Sequence, residues 1–463
     1  MIEGRVCRCT ALIASLVLAL SFLPHLNDAG ASSTSTLNWT VYHGDAQGDG
    51  LASSIASIDT ATPRWTSPEL DGQLYGAPIA TSQAIFVATE ENVVYALSPH
   101  TGRIVWARRL GTAVPSGDLP CGDISPSVGI TGTPVIDTVR NEIFVVAEQL
   151  RNGSARHEFY GLNLTNGSVE TSVDVDPPGA NPTALLQRTG LSLDDGRVVF
   201  AMGGNYGDCA NYRGRVISVG ENSMAPEFFT VDARAGESQG AIWMGGAAPV
   251  VDSSGDVWVS SGNGSVHSAG AAYDDSDALL ELSPSMHLVQ YFAPTSWTQN
   301  NQDDLDMSMA PALVSNSLVL LAGKSGIVYL LNRQHLGGIG HQEATLNAAC
   351  NGNIDGGIAR SGDVVIMPCV NGPVAIRVTP SPAKISVLWR SSVSGGPAVI
   401  AAGLVWTIGL NGDLYGLNLH NGAVVHHVIV SLPANHFPTP GFGDGMMLIP
   451  TATKVIGFTT TSP

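Results

Sequence analysis

Lysine is nearly missing: Lys324, Lys384 and Lys454 are the only three in 463 residues. Lysine and arginine together number 21 against 39 acids, a net charge of −18. So acidic a chain has little to offer a phosphate backbone or an anionic lipid surface, which disfavours nucleic acid and such membranes as partners. The excess of arginine over lysine fits a GC-rich bacterial genome. Long apolar runs are missing after the first 31 residues: no later stretch reaches about 18 apolar residues, so no membrane span is expected. No Cys-x-x-Cys-His occurs, which argues against an attached c-type haem. Helix-length amphipathic patterns are lacking too. With them go a phosphate-cradling loop ahead of a helix and a nucleophile elbow.

The first 31 residues read as a secretory signal. Arg5 and Arg8 precede "ALIASLVLALSFL", and Ala29-Gly30-Ala31 offers a small-residue cleavage site. Neither Cys7 nor Cys9 lies just after the apolar region, which speaks against a lipid anchor. The mature protein is therefore expected to be secreted or otherwise extracytoplasmic. Residues 32–37 form a disordered lead-in and 38–460 a single domain. Four cysteines remain in that part: Cys121, Cys209, Cys350 and Cys369. An even number in an exported chain favours disulfides over metal ligation. Three pairings are possible, and Cys121–Cys209 with Cys350–Cys369 is favoured.

What the chain has in quantity is glycine and proline, 53 and 27, and they punctuate short strands. "APIATSQAIFVATEENVVYALSPHTGRIVWARRLG" (77–111) is one of five similar units, the others lying at 133–148, 248–264, 310–332 and 396–425. Each starts with proline, then a short apolar strand, a polar turn and a second strand rich in Val, Ile, Phe or Trp. Weaker copies lie at 189–204 and 356–370. Short strands between Gly, Asn and Asp turns are an antiparallel signature. Four strands recurring every 40–60 residues fit the blades of an all-β propeller. The count is eight four-stranded blades, with seven as the alternative. The last unit, 441–458, lacks an outer strand, and "TPRWTSPELDG" (62–72) can supply it and so close the ring.

The unit "YALSPHTGRIVW" (95–106) resembles the repeat of quinoprotein-type propellers. That family includes pyrroloquinoline-quinone-dependent alcohol dehydrogenases and cofactor-free scaffolds of outer-membrane assembly. Four further stretches resemble the dehydrogenase branch, its polyvinyl-alcohol dehydrogenase-like members in particular. The resemblance implies that Trp243 in "GAIWMGG" is a shelf beneath the quinone ring. It implies that Asn263 in "VWVSSGNGS" helps to bind calcium, and that Asp304 in "NNQDDLDMSMAP" is the catalytic carboxylate, with Asp306 close behind. Lys324 in "AGKSGIVYLLNR" would contact the quinone oxygens. Asp208 in "NYGDC" is the nearest candidate for the family's glutamate metal ligand, so the metal set becomes Asn263, Asp304 and Asp208. Two family features are missing. Cys121 is followed by Gly122, so no ring of adjacent cysteines can form, and the arginine beside that pair has no counterpart.

The chemistry asks for these residue types. A flat quinone needs an aromatic shelf, and the glycines beside Trp243 would leave its face uncovered. Alcohol oxidation needs a carboxylate near the hydroxyl as base. Calcium takes oxygen ligands, and a lysine can stabilise a reduced oxyanion. Each residue also has a plainer reading: Trp243 as blade packing, Asn263 as a turn residue with φ > 0, the acids 303–306 as a solvated loop, Lys324 as a turn lysine. "YDDSDALLELSP" (273–284) reads as a polar loop before a strand, with structural calcium as the alternative, and His426-His427 reads as outer-strand surface. Two functions follow. One is a pyrroloquinoline-quinone- and Ca²⁺-dependent oxidoreductase acting on a small or polymeric alcohol. The other is a non-catalytic propeller binding protein or glycan on its rim.

Overall fold

Each proline-headed unit becomes a four-stranded antiparallel sheet. The computed structural model describes residue 1 and residues 37–221 and 225–463. The expected leader and most of the lead-in lie outside the described residues. Eight such sheets form an eight-bladed propeller. Seven span 79–109, 135–174, 192–230, 250–293, 312–346, 359–390 and 399–428; within the fifth span Gly338–Ile339 leaves to pair parallel with Leu288–Ala293 of the blade before it. The eighth combines Gly441–Gly443, Met446–Pro450 and Val455–Thr461 with two short strands from far upstream. Ser57–Ile58 and Trp65–Thr66 both pair antiparallel with its last strand.

Burial falls from the inner strands outwards. In the first blade Ile85–Ala88 and Val93–Leu97 are buried at every position, whereas Ile104–Arg109 has no buried residue. Inner strands pack against neighbouring blades on both faces, which is why they read as continuous apolar runs rather than alternating ones. One tryptophan contact recurs between blades. Trp106, on the outer strand of the first blade, donates its indole N–H to the Leu164 carbonyl of the second at 2.9 Å. Trp65 does the same to Pro99 at 2.7 Å, and Trp389 to Leu419 at 2.8 Å. In each case the ring lies on the glycine of the next blade's turn, Gly167, Gly102 or Gly422. A Cβ there would come within 2.6 Å of the indole. The Thr-Gly and Asn-Gly turns are thus docking sites for the preceding blade.

The segment 39–52 crosses the centre of the ring. Its backbone bonds to the innermost strands of several blades: to Ala80, Ile136, Val251 and Ile400. One helix breaks the β pattern, Trp297–Asp303, ending in Asp304 with left-handed φ 54°. The sequence reading expected no helix here, because seven residues are too few for a 3.6-residue period to show. The stretch 273–277 leads into the strand Ala278–Leu282, and His426 and His427 lie on the outer strand Val424–Val428.

Candidate functional site

Antiparallel connectivity gathers the segments that enter first strands and leave second strands at one end of the ring. Asp208 follows the second strand Arg197–Gly204, Asn263 follows Val257–Ser261, and Lys324 follows Leu318–Ala322. Trp243 and Asp304 precede the first strands Val250–Val251 and Ala312–Leu313. Residues up to 116 positions apart therefore share one end of the molecule.

Lys324 is their meeting point. Its Nζ lies 2.5 Å from Asp306 Oδ2 and 3.0 Å from Asp304 Oδ1, and 5.8 Å from the Trp243 ring centroid. Gly323 permits this, since a Cβ there would sit 1.9 Å from the Asp306 carbonyl oxygen. Burial works against the lysine's charge, but Asp306 and Asp304 outweigh it and hold its pKa above the usual lysine value. Asp306 is 1 % exposed, and burial raises its carboxyl. Its Oδ1 accepts the Asn263 backbone N–H at 2.7 Å while Oδ2 faces the ammonium. With both oxygens so engaged, the pair is ionised. Asp304 is the open partner, with a side chain 63 % exposed.

Asn263 does not take the left-handed backbone that Gly-Asn-Gly suggests. Its carbonyl accepts from Gly240 N–H at 2.8 Å, and its side-chain Oδ1 is buried with no hydrogen-bond partner. Asp208 accepts the Tyr212 hydroxyl at 2.6 Å. Burial raises its carboxyl, Tyr212 lowers it, and the charges of Asp306 and Asp304 raise it further. The next residue, Cys209, is bonded to Cys121, and Cys350 is bonded to Cys369. Asn263 offers an amide oxygen without a partner, and Asp208 and Asp304 offer carboxylates, which are the kinds of donor calcium takes.

Trp243 donates its indole N–H to the Gly204 carbonyl at 3.0 Å. The glycines around it do not simply clear its face. A Cβ on Gly245 would strike the Gly356 nitrogen at 2.4 Å, and one on Gly246 would strike the Arg188 guanidinium at 2.3 Å. Part of the space is thus filled by a neighbouring blade's backbone and by an arginine. The indole nevertheless lines a cleft with Tyr206, Arg188, Leu186, His436 and Phe437. Of the site residues expected from sequence, Trp243 alone lines this cleft; Asp304 meets Lys324 directly and Asn263 through Asp306.

Sequence reasoning passed over several groups near this end. Arg188 carries no motif. Asp277 is fully buried, neither of its carboxylate oxygens has a hydrogen-bond partner, and burial followed by the charge of Asp306 pushes it well above the usual range. Asp232 is buried likewise and pushed up to about 9 by burial and by Asp274. Asp277 sits in the acidic string 274–277 and Asp232 in a turn after a strand, both of which look solvated. On the fourth blade Asp252, Asp256 and Glu281 also converge, but Arg333 stands 2.6 Å from Asp252.

A family model described as outer membrane protein assembly factor BamB matches residues 40–219. The fold is similar to that of quinohemoprotein alcohol dehydrogenase from Comamonas testosteroni, at 12% identity and TM-score 0.68, over 91% of this chain and 80% of that one. It is also similar to a europium-containing methanol dehydrogenase, at 10% identity and TM-score 0.69, over 91% and 98%. Residues 40–219 thus match a PQQ-repeat family, and the whole chain has the fold of such a propeller. Another structure of this propeller type, BamB from Moraxella catarrhalis, matches at 13% identity and TM-score 0.56, over 87% of this chain and 100% of that one. No curated protein matches in sequence. PQQ-repeat propellers similar to this one thus include dehydrogenases and an assembly factor, and at these identities the likeness is one of fold. Two disulfides agree with an extracytoplasmic location, and among the described residues no helix is long and apolar enough to cross a membrane.

Proposed function

We propose that the protein is an exported quinoprotein oxidoreductase that takes pyrroloquinoline quinone with Ca²⁺ and oxidises an alcohol. The observation that carries this reading is the convergence on Lys324: Trp243, Asp304 and Asp306 stand directly around one ammonium, and Asn263 joins through Asp306. Packing within separate blades gives no reason for those four segments to share a charge centre. Trp243 is the shelf. Asn263, Asp304 and Asp208 hold the ion. Lys324 is fixed by Asp306 and keeps a positive charge facing the ring. Asp304, exposed and less tightly paired, is the base that takes the hydroxyl proton. When bound, the quinone supplies the two-electron acceptor and the metal polarises it.

A non-catalytic scaffold, binding protein or glycan on the rim, is the second reading. It is favoured by the match to an assembly-factor family and by Cys121 being paired far along the chain, which leaves no ring of adjacent cysteines over a quinone. Titration of the purified protein with pyrroloquinoline quinone and Ca²⁺, followed by tryptophan fluorescence and quinone absorbance, separates the two. The oxidoreductase reading expects saturable quenching that Trp243→Ala abolishes. No binding up to high micromolar quinone refutes it and leaves the scaffold.

A further inference from the structure

Arg188 is 7 % exposed, yet among the described residues no carboxylate forms an ion pair with it. A guanidinium has five N–H donors. One of them, on Nη2, donates to the His436 carbonyl at 3.1 Å, and the group stands 5.9 Å from the Tyr75 ring centroid. Its place is provided for, since Gly246 is the residue that a side chain would drive into Nη1. The charges that reach it are weak substitutes for a partner. Glu90 is buried, gives Oε2 to Gly129 N–H and the Thr131 hydroxyl, and is pushed up to about 8, so it is largely uncharged at neutral pH. Asp123 Oδ2 lies 3.3 Å from His436 Nε2. Burying a cation without a carboxylate is costly, and a chain of net charge −18 has acids to spare for pairing it.

We infer that Arg188 receives a carboxylate of the ligand seated against Trp243, so that this cleft takes a planar aromatic acid rather than a neutral ring. The two parts of the cleft divide the work. Trp243, Phe437 and Leu186 offer flat apolar surface, and Arg188 offers a fork that matches a carboxylate's two oxygens. The inference deepens the quinone reading and rests on it for the ligand's identity, not for its charge.

Calorimetric titration with 2-naphthoate and with 2-naphthamide, on wild type, Arg188→Gln and Arg188→Lys, tests it. Wild type should bind the acid about ten- to a hundredfold more tightly than the amide. Arg188→Gln should remove that preference, and Arg188→Lys should keep part of it. Equal binding of acid and amide by wild type overturns the inference, and this arm does not depend on any variant folding. A preference for the acid that survives in a folded Arg188→Gln protein also overturns it. Pyrroloquinoline quinone and its trimethyl ester distinguish the two proposals. If the quinone fails to bind while naphthoate binds through Arg188, the oxidoreductase reading falls and the carboxylate site stands. If quinone and ester bind equally well, the reverse holds.

Discussion

Replacing Asp306 by Asn changes one charge and little else. Asn Oδ1 can still accept the Asn263 N–H that Asp306 Oδ1 accepts at 2.7 Å. What disappears is the carboxylate 2.5 Å from Lys324 Nζ. At an effective dielectric constant of about 20, that contact is worth about 7 kcal/mol of attraction. Removing the carboxylate also removes its own desolvation cost of several kcal/mol. Asp304 stays 3.0 Å from the ammonium, but its exposed side chain leaves it screened by water. The balance is a loss of about 2–4 kcal/mol. For roughly 420 ordered residues the unfolding entropy is about 0.9 kcal/mol/K, so Asp306→Asn should lower Tm by about 2–4 °C. Calorimetry on Asp306→Asn, Lys324→Met and the double variant is the assay. The double variant should be more stable than the sum of the single losses predicts, by about 2 kcal/mol, because it buries no unpaired charge. A wild-type Tm for Asp306→Asn, or strict additivity, refutes the ionised pair on which the site is built.

Two further predictions concern stability. His157 is fully buried, with Nδ1 2.8 Å from Asp176 Oδ1 and Nε2 3.5 Å from Glu148 Oε2. Burial alone would lower its pKa, but the two acids outweigh burial and push it up to about 10. A folded pKa above the unfolded value of about 6.5 means that the contribution is complete below that pH and is lost as pH rises towards 10. Urea melts between pH 7 and 10 should therefore fall more steeply for wild type than for His157→Gln, by up to about 1.4 kcal/mol per pH unit; equal slopes refute the charged histidine. The disulfides close segments of 88 and 19 residues. Chain entropy ranks them at about 4.6 and 3.2 kcal/mol, so Cys121→Ser/Cys209→Ser should cost more than Cys350→Ser/Cys369→Ser. The first pair should also weaken naphthoate binding, since Asp123 and Ile124, just after Cys121, line the cleft; the opposite ranking in melts refutes the loop argument.

The blades were legible because each repeats the same local choices: a proline, two apolar strands, a Gly-bearing turn. Strands buried on both faces leave continuous apolar runs that composition alone displays. The Trp-on-Gly docking explains why the Thr-Gly or Asn-Gly turn recurs, at Gly102, Gly167 and Gly422, although its partner blade is invisible in one unit's sequence. The site was legible only in part. Trp243, Asn263, Asp304 and Lys324 were singled out by resemblance; Trp243 and Asp304 stand beside Lys324, and Asn263 is linked to it through Asp306. Asp306 was named only as a neighbour of Asp304, yet it makes the shorter contact with Lys324, because which of two nearby acids is buried depends on the helix cap at Asp304. Arg188 had no signal: "LLQRTG" carries no motif, and its cleft is lined by segments as far apart as Asp123 and Phe437. Asp232 and Asp277 look like solvated loop acids, since nothing local tells a buried carboxylate from an exposed one.

The eighth blade carries a consequence in time. Ser57 Oγ lies 2.7 Å from Thr461 Oγ1, a partner 404 residues further along the chain. At roughly 5–20 residues per second, the ribosome makes the second of these about 20–80 s after the first. Through that interval the strands at 57–66 have no sheet to join, and each is a free edge that other chains can pair with. The first strands of the molecule thus wait, unpaired, for its last ones.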